Sequence, residues 1–394
     1  MIKNDALKRI APKRLTILGS TGSIGRSTIE LIELNPGIYE VEALTANQNV
    51  TVLAEQARRL GARFAAVADP EKYNDLKTTL SGTSVEVAAG PRSILDAAAR
   101  ESNWVMAAIV GAVGLEPTLQ AIQRGAIVAL ANKEALVCAG DLMLNEAERC
   151  GGTLLPVDSE HNAIFQVFDF ERREAIEKLI LTASGGPFRN RSRVEMHHVT
   201  PADAVAHPNW DMGPKISVDS ATMMNKGLEL IEAHFLFGIP ENRIEILIHP
   251  QSIIHSLVEY VDGSVLAQLG TPDMKTPISY TLAWPERMRV PGRSLDFGLV
   301  SQLTFEAPDL EQFPALSLAR EALKTGGSAP AILNAANEEA VAAFLGNKVG
   351  FLEIPRIVSK TMENVLPTAI GTVEDVLSVD AITRRVTQNI IVDL

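Results

Sequence analysis

Over its first 160 residues the chain alternates short, β-branched apolar runs with stretches of helical spacing, and few folds accommodate that rhythm. The runs are Leu15–Leu18, Val41–Thr45, Phe64–Ala68, Val85–Ala89, Val105–Val110, Ile127–Leu130 and Thr153–Val157. Between them lie segments such as Ser27–Leu34 and Val50–Leu60, where apolar side chains recur three and four apart. Strands of this kind, each followed by a crossover helix, predict an α/β, Rossmann-like, doubly wound parallel sheet covered on both faces.

Past Leu179 the texture changes. A strand at Leu179–Thr182 runs into Ser184-Gly185-Gly186-Pro187 and then a polar stretch to Gly213 with little periodicity. A connection of that length inside a compact domain is read as a flap. A helix is expected from about Ala221 to Phe237, with Ser220 as its N-cap and Gly238 and Pro240 stopping it. Strands follow at Glu245–Ile248 and in a hairpin, Ile253–Val261 and Ser264–Leu269, around Asp262-Gly263. The proline-rich segment Thr271–Pro314 reads as a surface linker, and Ala315–Lys324, Ala331–Leu345 and Ile354–Val365 read as helices. The expected division is residues 1–157 for a cofactor domain and 158–283 for a central α+β domain whose flap spans about 184–213. Residues 284–314 form a linker and 315–394 a helical bundle.

Composition narrows the function. A net charge of −12 with no long basic run argues against nucleic acid or an anionic membrane as the main partner. No segment approaches the length of apolar chain that crosses a bilayer, and the basic N-terminus precedes only Leu15–Leu18, so a cytoplasmic protein is expected. Two cysteines, Cys138 and Cys150, build no disulfide framework and read as small packing groups.

The chemistry-bearing residues cluster at strand ends. Gly19-Ser20-Thr21-Gly22-Ser23-Ile24-Gly25 follows the first strand and opens the first helix, where free N–H groups and the helix dipole favour a pyrophosphate. A plain tight turn is the competing reading of a lone glycine pattern. After the second strand, Asn47-Gln48-Asn49 lacks the carboxylate that would hold an NAD ribose, which favours NADP over NAD. Asp158-Ser159-Glu160 directs two carboxylates to one side, and Asn225, Glu229 and Glu232 share a helix face. Asp158, Glu160 and Glu229 together make an oxygen-only set suited to Mg²⁺ or Mn²⁺, whereas each alone suits a solvated surface. Ser220, Asn225 and Lys226 form a candidate anion site, and Lys133 lies at the carboxyl edge of the sheet after the sixth strand. His249 and His255 read as structural. His207 and Trp210, carried by the polar stretch, suit a lid.

These segments, in this order, resemble the 1-deoxy-D-xylulose 5-phosphate reductoisomerase family. The matching strings are LTILGSTGSIG (15–25), MAAIVGAVGL (106–115), LANKE (130–134), LLPVDSEHNAIFQ (154–166), SGGPFR (184–189), HPNW (207–210), KISVDSATMMNKGLE (215–229), IHPQSIIHS (248–256) and LNAANE (333–338). The resemblance implies metal ligands at Asp158, Glu160 and Glu229, with Mg²⁺, Mn²⁺ or Co²⁺ as the ion. It implies substrate contacts from Lys133, Ser159, Glu160, Ser184, His207, Trp210, Ser220, Asn225, Lys226 and Glu229, of which Lys133 and the three ligands would be catalytic. It also implies NADPH contacts from Thr21, Gly22, Ser23, Ile24, Asn47, Gln48, Asn49, Asn132, Glu134 and Gly213, a small phosphorylated sugar as substrate, and a homodimer. The implied chemistry is a carbon-skeleton rearrangement to 2-C-methyl-D-erythrose 4-phosphate, then hydride reduction to 2-C-methyl-D-erythritol 4-phosphate, in isoprenoid precursor synthesis by the MEP pathway. Two departures stand out: Gln48 where many members carry Lys, and Asp211 where Ser is common. Two rivals stay open from the residues alone: a semialdehyde-type NADP dehydrogenase, which needs a nucleophilic cysteine, and a nucleotide-sensing protein without catalysis.

Overall fold

A computed structural model describes residues 12–206, 210, 212–290, 292 and 294–394. Seven parallel strands form the first layer: β1 (Lys13–Leu18), β2 (Tyr39–Ala46), β3 (Phe64–Val67), β4 (Glu86–Ala89), β5 (Trp104–Ala107), β6 (Ile127–Leu130) and β7 (Thr153–Pro156). Their order, β4-β3-β2-β1-β5-β6-β7, reverses direction between β1 and β5, the kind of switch point where doubly wound sheets bind ligands. Alternate residues of β1 explain why the sheet is sandwiched. Leu15 and Ile17 pack on one face with Ile29 and Leu53, while Leu18 packs on the other with Leu115 and Leu130.

A second, four-stranded sheet has the order β11-β10-β8-β9, with β8 (Ile176–Ala183), β9 (Ile244–Ile248), β10 (Ile254–Tyr260) and β11 (Val265–Leu269). The hairpin around Asp262-Gly263 forms as expected, Gly263 taking φ 84°. Helices Ala315–Thr325, Ala329–Leu345, Glu353–Asn364 and Val373–Val392 follow, and one apolar core joins this bundle to the second sheet. Among the described residues, no helix is long and apolar enough to cross a membrane.

Two sequence expectations need correcting here. Residues 271–314 read as a surface linker, yet Lys275–Ala283 is helical. Its Ile278 and Leu282 sit in the core of the first sheet, and the Thr281 carbonyl accepts from Trp104 Nε1 at 3.0 Å. The polar stretch before Gly213 contains the short helices Arg193–Met196 and Pro201–Val205. Both start on reciprocal capping boxes, Ser192 with Glu195 and Thr200 with Asp203, a local signal that outweighs weak apolar periodicity.

Candidate active site

The glycine turn sits at the switch point. Gly19 has φ 85°, and a Cβ there would stand 2.6 Å from the Ala108 carbonyl oxygen, so only glycine lets β1 and β5 approach this closely. Thr45 Oγ1 accepts from the Gly19 N–H at 2.9 Å, while Ser20 and Gln56 exchange bonds of 2.8 and 3.0 Å. These contacts fix the turn and leave Gly22 and Ser23 exposed, where no side chain caps the Ser23–Glu33 helix. Thr21 and Ile24 flank them, and the exposed Asn47, Gln48 and Asn49 follow β2 on the same sheet edge. Asn49 also has a structural duty, since its Oδ1 accepts from the Val52 N–H at 3.2 Å. Beyond β6, Asn132 donates to the Gly111 carbonyl at 3.0 Å, and its buried Oδ1 lacks a protein partner.

The neighbouring cluster is built from three elements. Lys133 opens the Lys133–Cys150 helix, Asp158 precedes the Ser159–Val167 helix, and Glu229 lies inside the Met224–Phe237 helix. Oxygens of Asp158, Glu160 and Glu229 lie within 4.8 Å of one another. Two ammonium groups brace them. Lys133 Nζ pairs with Asp158, donates to Glu229 Oε1 at 3.1 Å and donates to Asn225 Oδ1 at 2.9 Å. Lys226 Nζ pairs with Glu229 and lies 3.2 Å from Glu160 Oε1. Ser159 donates to Glu160 Oε2 at 2.6 Å. Three carboxylates with no sulfur donor among them form a hard set that fits Mg²⁺ or Mn²⁺.

Electrostatics differ sharply within this small volume. Burial alone would raise the Asp158 carboxyl, but the neighbouring charges, Lys133 first, and the hydrogen bonds from Glu160 and Lys133 together outweigh it and hold the group below the usual carboxylate range. Glu160 is pushed up to about 8, first by burial and then by the Glu229 charge. Behind the cluster, His161 Nε2 lies 2.8 Å from the Glu229 carbonyl oxygen, and its Nδ1 lies 3.2 Å from Glu232 Oε2. Glu232 is fully buried and pushed up to about 7, mainly by that burial. It faces His161, and the two lie within 4.8 Å of an Asp158 oxygen, so its place on the predicted helix face supports the three-carboxylate cluster from behind.

Ser220 departs from expectation. The expected single helix is two, Pro214–Thr222 and Met224–Phe237, broken at Met223 with φ 65°. Thr222 Oγ1 accepts from the Met224 N–H at 3.3 Å and stabilises the break. Ser220 therefore lies in the last turn of one helix and caps nothing, whereas Asn225 and Lys226 occupy the first turn of the next. The loop carrying Ser184 still reaches Ser220: a Cβ on Gly186 would stand 2.7 Å from the Ser220 carbonyl oxygen. Trp210 packs edge-on to His255 with ring centroids 6.2 Å apart. His207 and Asp211 lie outside the described residues.

His249 is structural as expected, its ring nitrogens occupied by the Thr304 carbonyl and the N–H groups of Ile253 and Ile254. His255 lies beside the carboxylate cluster. It lines a small cavity with Ser159, Asn162, Gln268, Asp273 and Thr276, and burial lowers its pKa to about 4. Cys138 is buried and its thiol is pushed up by that burial, which makes it a poor candidate for the nucleophile a semialdehyde dehydrogenase needs, while Cys150 is half-buried at the last position of the same helix. Sequence reasoning missed Lys215 and Asp219, four apart on the Pro214–Thr222 helix. Lys215 Nζ lies 2.9 Å from Glu134 Oε1 and 2.8 Å from Asp219 Oδ2.

Comparisons with known proteins agree along the chain. The family model described as 1-deoxy-D-xylulose 5-phosphate reductoisomerase matches residues 15–140, and two models of that enzyme's C-terminal domain match 154–237 and 269–386. The 1-deoxy-D-xylulose 5-phosphate reductoisomerase of Zymomonas mobilis is 59% identical over 369 residues, 94% of this chain and 95% of the relative. That of Rhodospirillum centenum is 60% identical over 373 residues, 95% of this chain and 93% of the relative. Among solved structures, the Zymomonas mobilis enzyme in complex with NADPH superposes with a TM-score of 0.93 at 56% identity, covering 97% of this chain and all of that one. A DOX-P reductoisomerase in complex with NADPH, fosmidomycin and magnesium gives 0.91 at 44% identity, covering 96% and 98%.

Proposed function

The chain belongs to the 1-deoxy-D-xylulose 5-phosphate reductoisomerase family, and from that premise we propose that its carboxylate–lysine cluster is the reaction centre. The protein converts 1-deoxy-D-xylulose 5-phosphate to 2-C-methyl-D-erythritol 4-phosphate with NADPH and a divalent metal ion, in the MEP route to isoprenoid precursors. The observation that carries the assignment of the centre is the convergence of Asp158, Glu160 and Glu229 within 4.8 Å, braced by Lys133 and Lys226.

When bound, the metal supplies Lewis-acid polarisation of substrate oxygens and NADPH supplies the hydride. Asp158, Glu160 and Glu229 would hold the ion, the Thr21–Ile24 turn would hold the pyrophosphate, and Asn47, Gln48 and Asn49 would face the ribose. Asn132, with its unpartnered Oδ1, Glu134 and Gly213 complete the cofactor side. Lys133 and Ser159 orient the oxygens of the reacting carbons, since Lys133 Nζ already bonds two members of the cluster. Ser184, Ser220, Asn225 and Lys226 anchor the phosphate and fix the remote end of the substrate, which reduces the freedom the reacting atoms must lose. Trp210, packed on His255, excludes water from that end. We further propose a cytoplasmic homodimer, supported by the half-exposed Val265 and Leu266 on the edge strand β11.

The test is NADPH oxidation with 1-deoxy-D-xylulose 5-phosphate, run with and without a chelator and repeated with NADH. Turnover that survives complete metal removal would overturn the assigned centre.

A further inference from the structure

Lys215, its side chain a quarter exposed, bridges two helices that the reading above gives to different subsites, and the further inference rests on that reading. On one side is Glu134, in the first turn of the Lys133–Cys150 helix, 2.9 Å from Lys215 Nζ. On the other is Asp219, 2.8 Å away, next in sequence to Ser220 and 1% exposed. A third layer closes the chain of contacts: Asn337, from the Ala329–Leu345 helix of the bundle, donates through Nδ2 to Asp219 Oδ1 at 2.7 Å and is fully buried. Gly213, two residues before Lys215, is the N-cap of the helix that carries Lys215, Asp219 and Ser220.

We propose that Lys215 is a positioning residue that couples the cofactor subsite to the phosphate end of the substrate subsite. Its ammonium fixes Glu134 on the cofactor side and, through Asp219, the turn bearing Ser220, while Asn337 holds Asp219 in register against the bundle. Geometry favours coupling over simple stabilisation. Lys215 pairs with one acid on its own helix and one across the interface, so neither helix can shift without changing a charge-assisted bond to the other. Burial would raise the Glu134 carboxyl, yet the Lys215 charge keeps it lowered, so Glu134 presents a fixed carboxylate to the cofactor side. The next residue along the bundle helix, Glu338, pairs with Arg384 and approaches Gly111, so the bundle touches the cofactor side at a second point.

The test measures NADPH affinity by fluorescence in the full-length protein, with and without saturating inorganic phosphate as the probe of the substrate's anionic end, and the reverse titration. Reciprocal coupling requires each ligand to change the other's affinity by one common factor. Lys215→Met is expected to weaken NADPH binding about tenfold or more, the loss typical of a charge-assisted bond, and to bring the coupling factor to one. Lys215→Arg is expected to restore part of both. Asn337→Ala, which leaves Lys215 and Glu134 intact, is expected to reduce the coupling while leaving NADPH affinity within about threefold, and it replaces Lys215→Met should that variant fail to fold. NADPH affinity and coupling both unchanged in a folded Lys215→Met protein, or a lowered melting temperature with the coupling factor unchanged, overturns the proposal. Failure of the functional reading would show separately, as wild-type protein that does not oxidise NADPH with 1-deoxy-D-xylulose 5-phosphate.

Discussion

Lys133→Met tests whether the lysine and the metal compete for the same oxygens. In the structure Lys133 Nζ sits against Asp158 and lies 3.1 Å from Glu229 Oε1, and both residues belong to the proposed ligand set. Methionine keeps the stem and removes the charge. Without metal, the variant leaves two buried carboxylates short of a counter-ion, and breaking one side of such a pair costs about 3–5 kcal/mol. With metal, the sign reverses. A unit charge about 4 Å from another contributes on the order of 4 kcal/mol at an effective dielectric constant near 20, so removing the ammonium's repulsion should tighten Mn²⁺ binding at least tenfold. Thermal unfolding in chelator should therefore show a lower midpoint than wild type, and Mn²⁺ should raise that midpoint by more. Direct Mn²⁺ titration gives the affinity, NADPH affinity serves as the folding control, and turnover should fall because Lys133 also orients substrate. Weaker Mn²⁺ binding in the variant would refute the competition, because it would mean the lysine organises the ligands more than it opposes the ion.

Other perturbations follow from the same geometry. Glu229→Gln should abolish turnover at saturating Mg²⁺ and Mn²⁺ while NADPH affinity stays near wild type, and unchanged turnover would remove Glu229 from the ligand set. Gly140→Ala would put a Cβ 2.4 Å from the Phe235 ring between the helices that carry Lys133 and Glu229, so stability should fall by about 1–3 kcal/mol, read as a lower denaturant midpoint. Cys138→Ser together with Cys150→Ser should retain activity, since Cys138 is buried and its thiol is pushed up. Metal-free stability should fall as pH rises from about 4.5 to about 8. Over that window the unfolded carboxyls have lost protons that folded Glu232 and Glu160 keep until about 7 and about 8, so rising pH favours unfolding. A denaturation series in chelator that rises or stays flat over that range would contradict it.

What the sequence discloses depends on how local the cause is. The glycine turn was legible because Gly25 meets its constraint, Gly19 and Ser20, within one strand–turn–helix unit, although Gly19 is constrained by Ala108 beyond β5, and the seven strands were legible because a sandwiched parallel sheet demands continuous apolar runs. The carboxylate trio was legible in composition but not in bracing: Lys133 and Glu229 are 96 residues apart, and nothing in either segment announces the ion pair. Met223 was misread because an apolar residue in the left-handed region looks like helix continuation, and the Thr222 hydroxyl that stabilises the break reads as ordinary helix composition. Lys215 left one faint signal, its spacing of four from Asp219, whereas its partner Glu134 and the anchor Asn337 are brought in by tertiary packing. Capping boxes at Ser192 and Thr200 were legible in principle, and they mark where short helices outrun hydrophobic periodicity.

The net charge of −12 raises a sharper question, because both the sugar phosphate and NADPH are anions. With Glu160 keeping its proton until about 8, Asp158 and Glu229 set two negative charges against the two ammonium groups of Lys133 and Lys226, so at neutral pH the metal-free cluster has no net positive charge to offer an anion. Lys215 adds nothing to this balance, since Glu134 and Asp219 both lean on it. A divalent cation that displaces the Glu160 proton brings the site to one positive charge, so the substrate's anionic groups should bind weakly before the metal and strongly after it. At an effective dielectric constant near 20, one charge unit of difference felt about 8 Å away is worth roughly 2 kcal/mol, less whatever salt screens. Inorganic phosphate titrated against the protein with Mg²⁺ should therefore bind at least tenfold more tightly than in chelator, and the difference should shrink as ionic strength rises. NADPH, which we propose is held by backbone N–H groups at the Gly22 helix start instead of by this cluster, should show little of that dependence. Equal phosphate affinity with and without Mg²⁺ would mean that Ser184, Ser220, Asn225 and Lys226 bind the anion unaided, and that the acidic trio lies too far from the phosphate to govern it.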